Sequence, residues 1–373
     1  MKLTRLIAST AVAAGLLASS AGATELKVSS ILAPQGVGAD GYNYFAREVE
    51  KATNGEVTVQ VLHGGVLLTP LQMLSGLPDG VGDVGFLLPP YFAAEFPEFN
   101  LVANMAIVGD DALAMTGAIH EYIVTCEPCL AEHARHGHVY LGSYSATPYY
   151  GQGRKAYRTL DDLRGTKVRS ATAAQGRWAE HFGAVRVAIS GTEAFEAIST
   201  GTIDVTLAAL AEFFNLNLAE VNTHVNMLPV GVFNGNSPFS FGAPQWADLT
   251  DDQRAAILKV APYGVATIVT GYVRDEDRAK EVAKERGIVL VEPSEELKKA
   301  SEAYIATDVK LGIEEAERTT GLADGQAKAD RYLALIEKWK KLTAEIDRAD
   351  PQAFGDLLWT EIWNKIDPKT YGQ

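Results

Sequence analysis

Two runs of alternating strand and helix signals, set end to end, constrain this chain more than any other feature. The first starts with "ELKVSSIL", a strand, and continues into "ADGYNYFAREVEKAT", an amphipathic helix stopped at Asn54-Gly55. "EVTVQVLH" alternates as a second strand, "PLQMLSGLPDG" reads as a helix, and "DVGFLLPP" as a buried strand. The order β-α-β-α-β builds a parallel sheet with helices packed on it. "HVYLGSYS" repeats the strand signal. A second series then follows: "DDLRGTKVRS", "AAQGRWAEHFGA", "VRVAI", "GTEAFEAISTG" and "IDVTLAAL". The changeover falls near residues 145–150. "FNGNSPFSFGAP" (233–244), rich in Gly, Asn and Pro, reads as a strand crossing back to the first unit. Beyond Trp246 the chain is helical, with Thr250 and Gln253 spaced as a capping box.

The expected fold class is therefore α/β: two lobes with parallel-rich sheets and flanking helices, joined by crossing strands. A cleft between such lobes is the usual place for a small ligand. Lobe one is expected to take 24–146 plus 235–275. Lobe two is expected to take 147–234 plus 276–373 with the C-terminal helices.

The amino terminus, "MKLTRLIASTAVAAGLLASSAGA", has the three parts of an export signal. Lys2 and Arg5 are its positive region, Leu6 to Ala18 its apolar core, and Ala21 and Ala23 an A-x-A site. Cleavage is expected before Thr24, with the periplasm as the compartment. The apolar core is too short to span a bilayer, and no later run reaches about 18 consecutive apolar residues. The formal net charge is −14, and becomes −16 when Lys2 and Arg5 leave with the signal. An acidic protein of this kind is a poor partner for nucleic acid or anionic membrane. Any anion site it carries has to be made locally.

Two cysteines stand in "TCEPCLAEHARHGH". In an oxidising compartment Cys126 and Cys129 are most simply a short disulfide. His133, His136 and His138 follow closely, which makes a metal site conceivable, but the stretch also reads as an ordinary amphipathic helix, and no thioredoxin-like pattern surrounds the pair. No G-x-S-x-G, P-loop or H-E-x-x-H is present, and nothing in the spacing of the 47 acidic residues picks out a general base. The chain is read as a binding protein, not an enzyme, with neither metal nor cofactor required.

"DDLRGTKVRSATAAQG" (161–176) places a lone arginine, Arg169, where a strand ends and a helix can open. Residue types alone leave two readings: an ion pair with Asp161, Asp162 or Glu193, or a cation awaiting an acidic ligand.

The order of several stretches helps to separate them. "SSILAPQGVGADGYNYFAREVEKATNGEVTVQVLHGG", "LPDGVGDVGFLLPPYFAAEFPEFNL", "RTLDDLRGTKVRS", "FGAVRVAISGTEAFEAISTGTIDV" and "PQWADLTDDQRAAI" follow one another along nearly the whole mature chain. In this order the sequence resembles the DctP-type substrate-binding proteins of TRAP (tripartite ATP-independent periplasmic) transporters. The strongest elements of the resemblance are "DDLRGTKVR" and "STGTIDV". It implies the two-lobed periplasmic binding fold braced by a long helix, for which "LKKASEAYIATDVKLGIEEAER" is the expected segment. It also implies capture of a small organic acid and delivery to small and large membrane subunits, the protein docking on them without entering the bilayer. The membrane system is driven by an ion gradient. Arg169 then becomes the residue whose planar fork of donors meets the ligand carboxylate.

The chain departs from the family pattern in two places. A second arginine common in the family is replaced near Pro148 or Tyr149, and Leu207, Ala208 and Ala209 stand where E-N-P is usual. A charge and a polar contact are lost while aromatic side chains are available, so a monocarboxylate with an apolar or aromatic remainder is expected rather than a dicarboxylate. Tyr149, Tyr150, Asn234, Asn236, Ser30, Trp178 and Phe213 are the further candidate ligand residues, with Glu193 behind Arg169 or capping a helix. Adjacent Tyr149 and Tyr150 cannot both face the cleft from one strand. A sensor-coupled binding protein would carry the same site with another docking partner, and a periplasmic enzyme would need an acid–base pair in the cleft.

Overall fold

The computed structural model describes residues 23–373; the export signal read at 1–23 lies outside them except for Ala23. In chain order the strands are β1 (Thr24–Ser29), β2 (Val57–Leu62), β3 (Val84–Leu87), β4 (His138–Val139), β5 (Tyr150–Gly153), β6 (Lys167–Arg169), β7 (Val185–Val187), β8 (Val205–Ala208), β9 (His224–Asn226), β10 (Ser237–Gly242) and β11 (Val289–Val291). They form two sheets, ordered β2-β1-β3-β10-β4 and β11-β9-β5-β8-β6-β7.

Both sheets are mixed, and the antiparallel members have a common cause. β1 runs parallel to β2 and β3, and β6 parallel to β7 and β8. β5 is antiparallel to β8 and β9, and β10 to β3 and β4. β5 and β10 are the strands the chain enters on crossing from the other lobe. Each β-α series turns the carboxyl ends of its strands toward the cleft. A strand that begins at the cleft must run away from it, against its neighbours. Tyr150, at the start of β5, thus pairs with Ala208 at the end of β8, and Ser237 at the start of β10 with Leu87 at the end of β3.

Two long helices brace the lobes. Glu295–Thr320, where the bracing segment was expected, packs on helix Ala173–His181 of the second lobe and on Pro97–Asn104 of the first. Its Asp308 takes a two-pronged ion pair from Arg177 (3.0 and 2.9 Å), and Glu315 pairs with the same guanidinium (2.5 Å). Asp251–Arg286 is the second brace. Its first turn is closed by the Thr250–Gln253 capping box, and its end by Gly287 at φ +70. By length and composition alone this helix is apolar enough to cross a membrane, but 72% of its most apolar window is buried inside the protein.

One boundary is corrected. Helices Gly325–Thr343 and Pro351–Glu361 were placed with the second lobe, but they pack on Ala112–Val124 and on Asp251–Arg286, beside the first sheet. Glu121 fixes the first of them, accepting from Trp339 Nε1 (2.7 Å) and Lys338 Nζ (2.8 Å), and Tyr263 donates to Asp356 of the second (2.7 Å). An amphipathic stripe shows that a helix has a buried face but not which lobe covers it.

Helix Val37–Ala52 lies against Asp251–Arg286 at a contact that leaves no room for a side chain. A Cβ on Gly41 would fall 2.3 Å from Ile268 Cγ1 and 2.8 Å from the Gly264 carbonyl oxygen, and the latter belongs to a fixed backbone. Gly41→Ala is therefore expected to destabilise the protein by about 1–3 kcal/mol through overpacking. Urea unfolding should show a lower midpoint at unchanged slope; an unchanged midpoint would mean that the helices separate freely at this contact.

Candidate functional site

In an open α/β sheet a ligand sits outside the carboxyl ends of the strands. Both sheets here direct those ends to one cavity of about 80 Å³ between the lobes. At the usual minimum of about 10–15 Å³ per water, it has room for roughly half a dozen waters or one small molecule.

Arg169 ends β6 and lines this cavity. The side chain is 6% exposed, and its Nε donates to the Ile189 carbonyl at 3.3 Å. No carboxylate oxygen among the described residues lies within the 4.0 Å of an ion pair to it. The rest of its donor fork is open to the cavity. Gly191 makes that orientation possible, since a Cβ there would come within 3.2 Å of Nη2. Gly191 N–H also donates to Tyr91 Oη of the opposite lobe (3.3 Å), holding the two sides together beside the arginine.

Thr206 on β8 is the register partner of Arg169, so the two side chains share one face of the sheet. Thr206 lines the cavity, and its Oγ1 is buried and makes no hydrogen bond among the described residues. Tyr149, just before β5, completes this end. Its ring stacks on Phe233 (centroids 6.1 Å, 20° between planes). Burial pushes its phenol well up from its ordinary value, the Glu212 carboxyl adds to that, and the Arg169 guanidinium opposes it.

Tyr144 and Tyr272 stack at 5.4 Å and 27° to form the facing wall, with Phe86 edge-on to Tyr144 and Leu88 close by. Glu212, four residues beyond the end of β8, lies in the same lining and is 7% exposed. Tyr272 Oη donates to its Oε1 at 2.9 Å. Burial pushes this carboxyl up to about 7, against the opposing pulls of Tyr272, Asn215 and Arg169.

Of the residues singled out from the sequence, Arg169 and Tyr149 meet at the cavity. The others fall elsewhere, each with an identifiable task. Tyr150 points the other way, its Oη donating to Glu276 (3.4 Å). Asn236 spends both ends of its amide on the Tyr144 backbone (3.0 and 2.9 Å), so it positions an aromatic wall without facing the ligand space. Asn234 donates to Tyr332 Oη (2.8 Å). Ser30 Oγ accepts from Leu32 N–H and shapes the turn that presents Leu32 to the cavity. Trp178 is fully buried and donates to Ser301 Oγ (2.9 Å) on the brace. Phe213 belongs to the second lobe's core, next to Glu212, which is turned inward. Glu193 closes a capping box with Ser190 (2.8 Å) and does not reach Arg169 by any hydrogen bond. Cys126 and Cys129 are joined as a disulfide at the start of helix Glu127–Arg135. His133 and His138 are drawn to protein partners, the Cys129 carbonyl and the pair Ser240 and Leu74.

Sequence reasoning missed Thr206, Glu212, Tyr272 and Phe233. Thr206 stands in the middle of "IDVTLAAL" and comes to the cavity through its pairing with Arg169. Glu212 and Tyr272 carry no sign in the sequence, because each sits in a run that reads as a plain helix.

Three comparisons place the chain among known proteins. The model of the bacterial extracellular solute-binding proteins, family 7 (DctP), matches residues 28–315. The outer membrane transporter protein TsaT of Comamonas testosteroni is 25% identical over 288 residues, 76% of this chain and 84% of its own. A TRAP periplasmic solute-binding protein of Bordetella bronchiseptica, solved with (R)- and (S)-mandelate, has a TM-score of 0.74 at 23% identity, covering 84% of this chain and 99% of its own. A TRAP solute-binding protein of Rhodoferax ferrireducens, with copurified benzoate, has a TM-score of 0.75 at 20% identity, covering 86% and 99%.

The raised Glu212 carboxyl has a consequence for stability. An unfolded glutamate titrates near 4.5, the folded one near 7, so between these values the native state holds a proton the unfolded state has lost. Its contribution is complete below about 4.5 and is lost as pH rises to 7. Glu212→Gln cannot titrate. The stability of the ligand-free wild type relative to this variant should fall by about 3 kcal/mol from pH 4.5 to 7. Using the difference cancels the opposite trend of the buried His120 and His133, whose titration burial lowers to about 3. A flat difference would mean that Glu212 is ionised throughout.

Proposed function

The chain belongs to family 7 of the bacterial extracellular solute-binding proteins, and we propose that it binds a small monocarboxylate with an aromatic or otherwise apolar body and passes it to a TRAP-type membrane permease. The observation that carries this reading is Arg169: a buried guanidinium with no carboxylate of the described residues within ion-pair distance, facing the cavity between the lobes. A buried cation held this way is costly until an anion arrives. The ligand carboxylate takes the open fork in two parallel charge-assisted hydrogen bonds, each worth about 1.5–3 kcal/mol, and Thr206 Oγ1 is placed to donate a third.

The remainder of the ligand meets Leu32, Phe86, Leu88, Phe233 and the Tyr144–Tyr272 stack. A flat apolar body is the shape these walls complement, since aromatic pairs gain about 0.5–1.5 kcal/mol beyond area alone. Arg169 is the one cation in the lining among the described residues, which matches one carboxylate and leaves a second unmatched. Water is excluded when the lobes close, so the pair escapes the screening that weakens an exposed ion pair. The periplasm is the setting this reading requires, and the export signal read from the sequence and the disulfide both suit it.

The test is a thermal-shift and calorimetric screen of the chain from Thr24 onward, refolded to strip carried-over ligand. The panel is benzoate, phenylacetate, phthalate and succinate. At 100 times the dissociation constant a ligand should add about 2.7 kcal/mol of stability, visible as a rise in Tm. Benzoate or phenylacetate is expected to bind, and Arg169→Met to weaken it by roughly 30-fold or more. Binding that survives Arg169→Met in a folded variant would return the arginine to a structural role.

A further inference from the structure

Glu212 has no part in holding a carboxylate, yet it lines the cavity that Arg169 lines. Resting on the carboxylate reading above, we propose that Glu212 is a specificity-determining residue of this site: it hydrogen-bonds a neutral hydroxyl on the ligand's apolar body and turns away ligands with a second carboxylate.

The geometry gives three reasons. First, Glu212 is buried, at 7% exposure, and lines the cavity. Second, its position is fixed from behind. Tyr272 Oη donates to Oε1 (2.9 Å), Asn215 Nδ2 donates to Tyr272 Oη (3.4 Å), and Asn215 Oδ1 accepts from Val37 N–H of the other lobe (3.2 Å). When Glu212 is ionised the Tyr272 proton points to it, and this chain of bonds ends at the carboxyl. Capacity for a further hydrogen bond remains on the cavity side. Third, no cation besides Arg169 lines the cavity among the described residues. A second ligand carboxylate near Glu212 would meet an oxygen-lined wall with no positive charge to offset it, whereas a hydroxyl brings a donor and no charge.

Burial also keeps the group versatile. With its titration pushed up to about 7, Glu212 is protonated in part of the population at neutral pH and can donate as well as accept. A ligand lacking the hydroxyl leaves this buried group without its partner. The loss is that of an unsatisfied polar group rather than of one weak contact, which is why a site of this kind discriminates strongly.

The probes are benzoate, its three hydroxy isomers, the three fluoro isomers and isophthalate, titrated calorimetrically against wild type, Glu212→Met and Arg169→Met. Fluorine nearly matches the hydroxyl in size but cannot donate. In the wild type one hydroxy isomer should bind at least about tenfold more tightly than its fluoro counterpart, the effect of one hydrogen bond to a charged or strongly polar partner, and isophthalate should not compete. In Glu212→Met the hydroxyl-to-fluoro ratio should fall to near one while benzoate still binds. A purely structural role would weaken all the benzoates together and leave the ratio unchanged. Should Glu212→Met fail to fold, Glu212→Asp withdraws the carboxyl by one methylene and should reduce the ratio in the same direction.

A wild-type ratio near one for every isomer, or a preference that survives in the variants, would overturn the proposal. That failure is distinct from failure of the carboxylate reading. In the latter case no benzoate binds, or Arg169→Met leaves benzoate affinity unchanged.

Discussion

The architecture is organised around a cation that the protein does not neutralise. Taking a guanidinium out of water costs several kcal/mol unless an anion accompanies it. Arg169 has one hydrogen bond, to the Ile189 carbonyl, and its other nearby acidic group is Glu212, which burial holds partly protonated. Arg177, by contrast, is paired with Asp308 and Glu315, and Arg348 with Asp111. The contrast between Arg169 and these braced arginines is what supports the proposed ligand-directed role of Arg169 against a structural one. It rests on geometry, since the residue type is the same in all three.

Holding such a charge in place requires both lobes, and the topology supplies the means. The crossing strands β5 and β10 begin at the cleft and run outward, so the segments leading into them, with Tyr149 and Phe233, are pinned at the cavity by the sheets on either side. Asn236 fixes the Tyr144 backbone, and Tyr144 stacks on Tyr272 from the long helix Asp251–Arg286. The same helix therefore braces the lobes, furnishes a cavity wall and anchors Glu212. Its apolar middle, which reads like a membrane span, is explained by this central position inside the protein.

The strand and helix alternation, the arginine at a strand end and the crossing segment were legible because each depends on local pattern. Periodicity reports which face of an element is buried, and Gly, Asn and Pro report where the chain turns. Asn234, Asn236, Trp178 and Phe213 were drawn toward the site because they stand near it in sequence and have suitable chemistry. The structure gives each a partner or packing place elsewhere: Asn234 at Tyr332, Asn236 at the Tyr144 backbone, Trp178 at Ser301 and Phe213 in the second lobe's core. Glu212 and Tyr272 were missed for the opposite reason: 60 residues separate them, and only the fold makes the 2.9 Å bond between them.

The sequence by itself determined the α/β class, the tandem units, the position of Arg169 at the end of β6, and the choice between Tyr149 and Tyr150 as alternatives on one strand. These follow from short-range rules of backbone geometry and side-chain alternation. Tertiary structure alone decided that Tyr149 is the one facing inward, that the last two long helices rest on the first lobe, and that Arg169, Thr206 and Glu212 share one cavity. Such facts depend on the packing of surfaces distant along the chain. A local pattern can show that a side chain is buried, but it does not specify its neighbour.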